Sequence, residues 1–231
     1  MQVSAIVLAA GKGERLKSRF FKPLVKIGSR PLIAYSLATF AHDPKVKEII
    51  VVANILNRKK IAAAIKKYRI GKVKKIVLGG KERQDSVYNG LKAVEASVGL
   101  VAIHDGARPF IQRPSIDAAI KEAAKSGAAI VGVPVKSTIK RVKGQGARVR
   151  VDRTIDRRRL WEIQTPQVFK KDLLRDAFKK FGRMRVTDDA MLVEKMGVRP
   201  SLVLGSYNNI KVTTPEDLII ARCIAKKWKA G

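Results

Sequence analysis

Short runs of apolar, β-branched residues alternate along this chain with longer stretches whose apolar positions recur every three or four residues. Segments 4–8, 48–53, 75–78, 100–104 and 128–135 are too short and too continuously apolar to be amphipathic helices, and they read as strands buried on both faces. Segments 31–41, 58–68, 86–96 and 114–125 have the length and spacing of helices. Such a strand–helix–strand repeat predicts an α/β fold, a Rossmann-like and mostly parallel sheet with helices on both faces. Ligands of such sheets gather beyond the carboxyl ends of the strands, where segments 9–15, 79–85 and 105–109 would converge.

The alternation stops after Val135. Residues 137–155 read as two extended segments around Lys143-Gly144-Gln145-Gly146-Ala147, a hairpin signal, and residues 148–152 alternate polar with apolar. We take 137–157 as a protruding β-hairpin arm on a single domain spanning 1–231. A lone two-stranded ribbon is marginal in water and needs a surface for its valine face. A second subunit or the arm's own domain can supply it, and the sequence leaves both open.

Composition narrows the picture. With 231 residues, 46% of them hydrophobic, the chain can bury a sizeable core. Its single cysteine, Cys223, excludes an internal disulfide framework and a cysteine-rich metal site, which fits a reducing cytoplasm. No apolar run reaches membrane-spanning length, and residues 1–10 lack the pattern of a signal peptide. Forty-nine Lys and Arg against nineteen Asp and Glu give a net charge of +30, a field that attracts polyanions. Aromatic residues make up only 6%, and no stacking platform or recognition motif accompanies the charge, which speaks against nucleic acid as the partner.

The strongest local pattern is Leu8-Ala9-Ala10-Gly11-Lys12-Gly13-Glu14-Arg15-Leu16, directly after the first strand. Glycines there let backbone N–H groups approach phosphate oxygens, and Arg15 can add a charge-assisted contact. The same residues in isolation would also make an ordinary tight turn. Lys22, before Pro23 and Leu24, sits on a restricted backbone that can aim one ammonium at a polyphosphate.

These residues resemble the nucleotidyltransferases that activate sugar phosphates. Gly79-Gly80-Lys81-Glu82-Arg83-Gln84-Asp85-Ser86-Val87, His104-Asp105-Gly106-Ala107-Arg108-Pro109, Pro134 to Lys140, Thr154 to Trp161, Thr165-Pro166-Gln167, Thr187-Asp188-Asp189 and Asn209-Ile210-Lys211-Val212-Thr213 follow in order. Together they resemble the 2-C-methyl-D-erythritol 4-phosphate cytidylyltransferase family of the non-mevalonate isoprenoid pathway. The resemblance implies transfer of CMP from CTP to a sugar-alcohol phosphate, with Arg15, Lys22 and Lys211 as the catalytic cations. It assigns Ala9, Ala10, Gly11, Gly13, Gly80, Arg83 and Ser86 to the nucleotide, and Asp105, Arg108, Thr138, Arg157 and Thr165 to the acceptor. Asp105 would also hold magnesium or another hard divalent cation. A homodimer formed through the arm would carry Arg157 into the partner's site. His104 reads as a packed strand-end residue.

Pro23 and Leu24, Lys81 and Asn208 depart from residues frequent in the family. Two other readings stand beside this one: a ribitol 5-phosphate cytidylyltransferase, which shares the fold and most motifs, and a polyanion-binding protein without catalysis.

Overall fold

The computed structural model describes residues 2–11, 13, 16, 21–144 and 148–228. Its first half follows the predicted alternation, except that the strand over 73–78 lies at the edge of the sheet and is not buried on both faces. Strand β1 (Val3–Ala9) leads through a 3-10 turn at Lys22–Leu24 to the short pair β2 (Lys26–Ile27) and β3 (Arg30–Pro31). Then come α1 (Leu32–His42), β4 (Val46–Ala53), α2 (Arg58–Lys67), β5 (Val73–Leu78) and α3 (Arg83–Lys92). The middle of the chain forms β6 (Leu100–Asp105), α4 (Arg113–Ser126), β7 (Ala128–Pro134), β8 (Ile139–Lys143) and β9 (Arg150–Ile155). The remainder forms β10 (Trp161–Lys170), α5 (Lys171–Phe181), α6 (Ala190–Lys195), β11 (Ser201–Leu204) and α7 (Pro215–Lys227).

Seven strands make one sheet in the order β11-β7-β10-β6-β1-β4-β5. Every strand in it is parallel to its fellows except β10, which pairs antiparallel with both β6 and β7. Strand β10 is hard to read from the sequence because Pro166 interrupts it, and proline cannot donate to a central ladder. The structure resolves the conflict with an irregularity: pairing to β7 shifts register between Ile163 and Gln167, so Gln164, Thr165 and Pro166 leave the ladder.

Helices cover both faces. Leu37 and Phe40 of α1 and Ile116, Ala119 and Ala123 of α4 pack on one side, against Val3, Val7, Ile49 and Val51. Val87 and Leu91 of α3, Leu174 and Phe178 of α5, and Leu192 and Val193 of α6 close the other, against Ile6, Val52 and Ile103. Helix α3 begins three residues before the expected 86–96 span because the Asp85 carboxylate accepts the Glu82 N–H at 2.9 Å, closing the first turn early. Helix α7 packs Ala221 and Leu218 against Phe110, Tyr35 and Val212, which anchors the segment leading into it.

Strands β8 and β9 pair antiparallel as the anticipated hairpin, separate from the large sheet. Val142, Val149 and Val151 on it are exposed. Among the described residues no helix is long and apolar enough to cross a membrane.

Candidate active site

Strand β1 has β4 on one side and β6 on the other, so the chain leaves its neighbours toward opposite flanks and a crevice opens at the end of β1. Ala9, Ala10 and Gly11 enter this crevice. Further along the same loop, Gly13 has φ +72°, and a Cβ there would lie 2.6 Å from Lys22 Cβ. Only glycine satisfies both demands, so the loop holds Lys22 against its own backbone. The third expected cation of this group, Arg15, lies outside the described residues.

The loop after β5 closes against the same crevice. A Cβ on Gly79 would come within 2.6 Å of Ala10 Cβ and 2.7 Å of Ser86 Oγ, so this glycine permits the contact between loops. The Gly80 N–H donates to Ser86 Oγ at 3.1 Å, and that hydroxyl donates to the Glu82 carbonyl at 3.1 Å. Gly80 and Ser86 thus fix the loop that delivers Arg83.

Arg83 meets Asp105 at the end of β6. Its Nε lies 3.6 Å from Asp105 Oδ1, and its Nη2 donates to Asp189 Oδ2 at 2.8 Å. The other Asp105 oxygen, Oδ2, lies 2.6 Å from Lys211 Nζ. Burial works to raise the Asp105 carboxyl, but the Arg83 and Lys211 charges outweigh it and hold it well below the usual carboxylate range. Burial opposes the charge on Arg83 as well, and Asp189 and Asp105 together keep it firmly protonated. For the fully buried Asp189, burial prevails and pushes the carboxyl up.

Behind Asp105 stands His104, fully buried between two strands. Its Nε2 lies 3.0 Å from the Arg108 carbonyl, which can only accept, so Nε2 carries the proton. Nδ1 then accepts from the Thr165 hydroxyl at 3.0 Å, while that oxygen accepts the Asp105 N–H at 3.0 Å. A neutral imidazole completes the chain, and burial holds its pKa down to about 4. His104 and Thr165 set the backbone direction at Asp105.

Arg108 is buried and donates to the Asn209 carbonyl at 2.8 Å and the Ile163 carbonyl at 3.3 Å. Val212 N–H donates to the Ala107 carbonyl at 2.9 Å. These bonds tie the segment carrying Lys211 to the segment carrying Asp105. Asn209 strengthens the tie through the Gln164 side chain at 3.1 Å and the Thr165 carbonyl at 3.0 Å.

Thr138 and Arg157 sit apart from this group at the base of the arm. Both are exposed, and Arg157 Nη1 donates to the Lys136 carbonyl. Among the described residues no hydrogen bond or ion pair joins either to Asp105 or Lys211. The structure therefore assembles Lys22 beside the β1 loop and Arg83, Asp105 and Lys211 across the crevice, with Thr138 and Arg157 as a second group.

Among the described residues no cluster of three His, Cys, Asp or Glu side chains could hold a metal ion. Asp105, a single hard carboxylate, suits a divalent cation only where phosphate oxygens supply the other ligands.

Sequence reasoning assigned no role to Asp189, although Thr187-Asp188-Asp189 was among the quoted motifs. Gln167 explains its placement: Oε1 accepts the Asp189 and Ala190 N–H groups at 3.1 Å each, and Nε2 donates to Asp188 at 2.7 Å. Asn54 and Asn57 were also missed. Their carboxamides reach the Ala10 and Ala9 carbonyls, and the only sequence signal was an Asn-x-x-Asn spacing directly after a strand.

Comparison with known proteins agrees with this geometry. The family model for IspD, 2-C-methyl-D-erythritol 4-phosphate cytidylyltransferase, matches residues 3–227. A protein of that name from Shouchella clausii is 46% identical over 230 residues, covering 98% of each chain. Its counterpart from Alkaliphilus metalliredigens is 45% identical over 234 residues, covering 100% of this chain and 95% of its own. The crystal structure of 4-diphosphocytidyl-2C-methyl-D-erythritol synthase from Anaerococcus prevotii superposes with a TM-score of 0.84 at 33% identity, covering 97% of this chain and 96% of its own. The chain belongs to the 2-C-methyl-D-erythritol 4-phosphate cytidylyltransferase family.

Proposed function

We propose that this protein transfers CMP from CTP to 2-C-methyl-D-erythritol 4-phosphate, releasing pyrophosphate. The observation that carries this reading is the Arg83–Asp105–Lys211 chain at the switch point of the sheet, in a member of that family.

An acceptor phosphate oxygen attacks the α-phosphorus of CTP, the new P–O bond forms, and the bond to the bridging oxygen breaks with its electron pair going to pyrophosphate. Two anions must meet, so charge neutralisation and alignment matter more than a protein nucleophile. Lys22 and Lys211, with Arg15, supply positive charge toward the triphosphate. Asp105 orients Lys211, and its N–H is fixed by Thr165. A magnesium ion would neutralise triphosphate charge, held by Asp105 together with the phosphate oxygens. Gly80, Arg83 and Ser86 border the nucleotide, while Arg108 positions Lys211 through Asn209. Thr138 and Arg157 receive the acceptor phosphate.

A homodimer is part of the proposal, supported by the exposed valines of the arm. So is a cytoplasmic setting, supported by the lone, exposed Cys223.

The test is pyrophosphate release by the purified protein with magnesium. We expect release only when CTP and methylerythritol phosphate are both present, and preference for that acceptor over ribitol 5-phosphate at equal concentration. Preference for ribitol 5-phosphate would reassign the acceptor. Salt-sensitive duplex binding without CTP turnover would replace the whole reading by polyanion binding.

A further inference from the structure

The Ala9 and Ala10 carbonyls are held by two asparagines of the β4–α2 loop, and we propose that this pair is a positioning device for the triphosphate. The inference rests on the proposed use of CTP and names residues that neither the sequence motifs nor the catalytic group includes.

Asn57 is fully buried, and its Nδ2 donates to the Ala9 carbonyl at 2.9 Å. Asn54 Nδ2 donates to the Ala10 carbonyl at 3.0 Å. The two asparagines also brace each other. Asn57 Oδ1 accepts the Asn54 N–H at 3.0 Å, and Asn54 Oδ1 accepts the Asn57 N–H at 2.9 Å and the Leu56 N–H at 3.0 Å. Every carboxamide oxygen takes backbone N–H groups, so each amide nitrogen has one direction left, toward β1.

Two successive carbonyls of a regular strand point to opposite sides. Here both turn to the same loop. A trans peptide places each C=O antiparallel to the following N–H. The N–H groups of Ala10 and Gly11 therefore both face away from the β4–α2 loop, on the side of the crevice bordered by the end of β6. Consecutive N–H groups on one side form a concavity that suits an anion. Neither N–H has a hydrogen-bond partner among the described residues.

The asparagines thus hold open an arrangement that the backbone would otherwise relax by turning the Ala10 carbonyl into the crevice, where it would repel phosphate. Gly79 assists from the other flank, since its missing Cβ lets Ala10 settle against the β5 loop.

The decisive variant is Asn54→Ser. A serine hydroxyl still accepts the Leu56 and Asn57 N–H groups and keeps the loop turn, yet it is too short to reach the Ala10 carbonyl. It is also neutral, so it leaves the charge of the site unchanged. We expect the KM for CTP to rise about tenfold, the loss of one well-placed hydrogen bond. The acceptor KM and kcat should stay within about twofold, the pattern for lost uniform binding. Calorimetry without acceptor should show the same drop in CTP affinity, and the thermal midpoint should move by less than about 2 °C.

Unchanged CTP affinity in Asn54→Ser would overturn the inference. So would a parallel rise in acceptor KM with a falling midpoint, because that describes general loosening. If the wild-type protein binds CTP but does not turn it over, the proposed activity fails, while the calorimetric comparison still decides the role of Asn54.

Discussion

Lys211 Nζ lies 2.6 Å from Asp105 Oδ2, and this pair joins the end of β6 to the segment before α7, over a hundred residues later in the chain. Asp105 is only 8% exposed, yet Lys211 remains open to solvent at the mouth of the crevice. The carboxylate thus acts as a fixed anchor and the ammonium as its solvent-facing tip. Removal of the tip, by Lys211→Ala, should lower kcat by about a hundredfold or more, as for loss of one group facing the developing charge. Folding should survive, because Arg83 still faces Asp105. The checks are single-turnover kinetics and a melting curve, and full turnover in Lys211→Ala would refute the catalytic assignment.

Arg83 carries a different load. Its Asp189 partner is 0% exposed, while the Arg83 side chain is 33% exposed. Breaking a fully buried pair costs about 3–5 kcal/mol, and solvent around Arg83 reduces this to about 2 kcal/mol for Arg83→Ala. Asp189→Leu combined with Arg83→Met should recover most of that loss in urea unfolding, since Asp189 is then no longer a buried carboxylate without its partner and Asp105 keeps Lys211. The double variant should still bind CTP poorly. A double variant as unstable as Arg83→Ala would show that the pair contributes nothing through its charges.

The parallel half of the sheet and the crevice loops were legible because buried parallel strands leave continuous apolar runs, as in segments 48–53 and 100–104. Gly13 was legible because a φ of +72° and a Lys22 Cβ within 2.6 Å of its missing Cβ leave room for no other residue. Strand β10 was not, because Pro166 contradicts the local rule and only the register shift at Gln164 to Pro166 reconciles them. Asn54 and Asn57 were hidden for another reason: their partners are carbonyls, and a carbonyl leaves no mark on the sequence. The structural partners of Arg108, the Asn209 and Ile163 carbonyls, were hidden for the same reason.

His104 should give the protein a pH-dependent stability. Its folded pKa is about 4, lowered from 6.5 by burial, so the unfolded chain takes up a proton over a range where the folded protein refuses one. The His104 contribution should therefore be full above about pH 6.5, fall as the pH drops toward 4, and level off below after a loss of roughly 3 kcal/mol, while the depressed Asp105 carboxyl adds its own loss only at lower pH. Urea unfolding at pH 7, 5.5 and 4.5 measures this. His104→Asn should be less stable at pH 7 yet lose most of the slope between pH 6.5 and 4. An identical slope in that variant would place the titrating group elsewhere.

The arm sets the last expectation. Strands β8 and β9 belong to no larger sheet, and Val142, Val149 and Val151 stand 49%, 47% and 62% exposed. A two-stranded ribbon of this kind is marginal alone, so a second copy of the chain is the natural cover for its valines. Arg157 lies two residues past the end of β9, and its group is separate from the Lys211 group within one chain. A swapped arm would resolve that separation by placing Arg157 over the partner's crevice. Arg157→Ala and Lys22→Ala should each be nearly inactive alone, the first through acceptor use and the second through CMP transfer. In a co-expressed equal mixture, half of the dimers are mixed, and each of those holds one site with both residues intact. Activity should then return to about a quarter of the wild-type value. Sedimentation should show the dimer in every case, and no recovery in the mixture would mean that each arm serves its own chain.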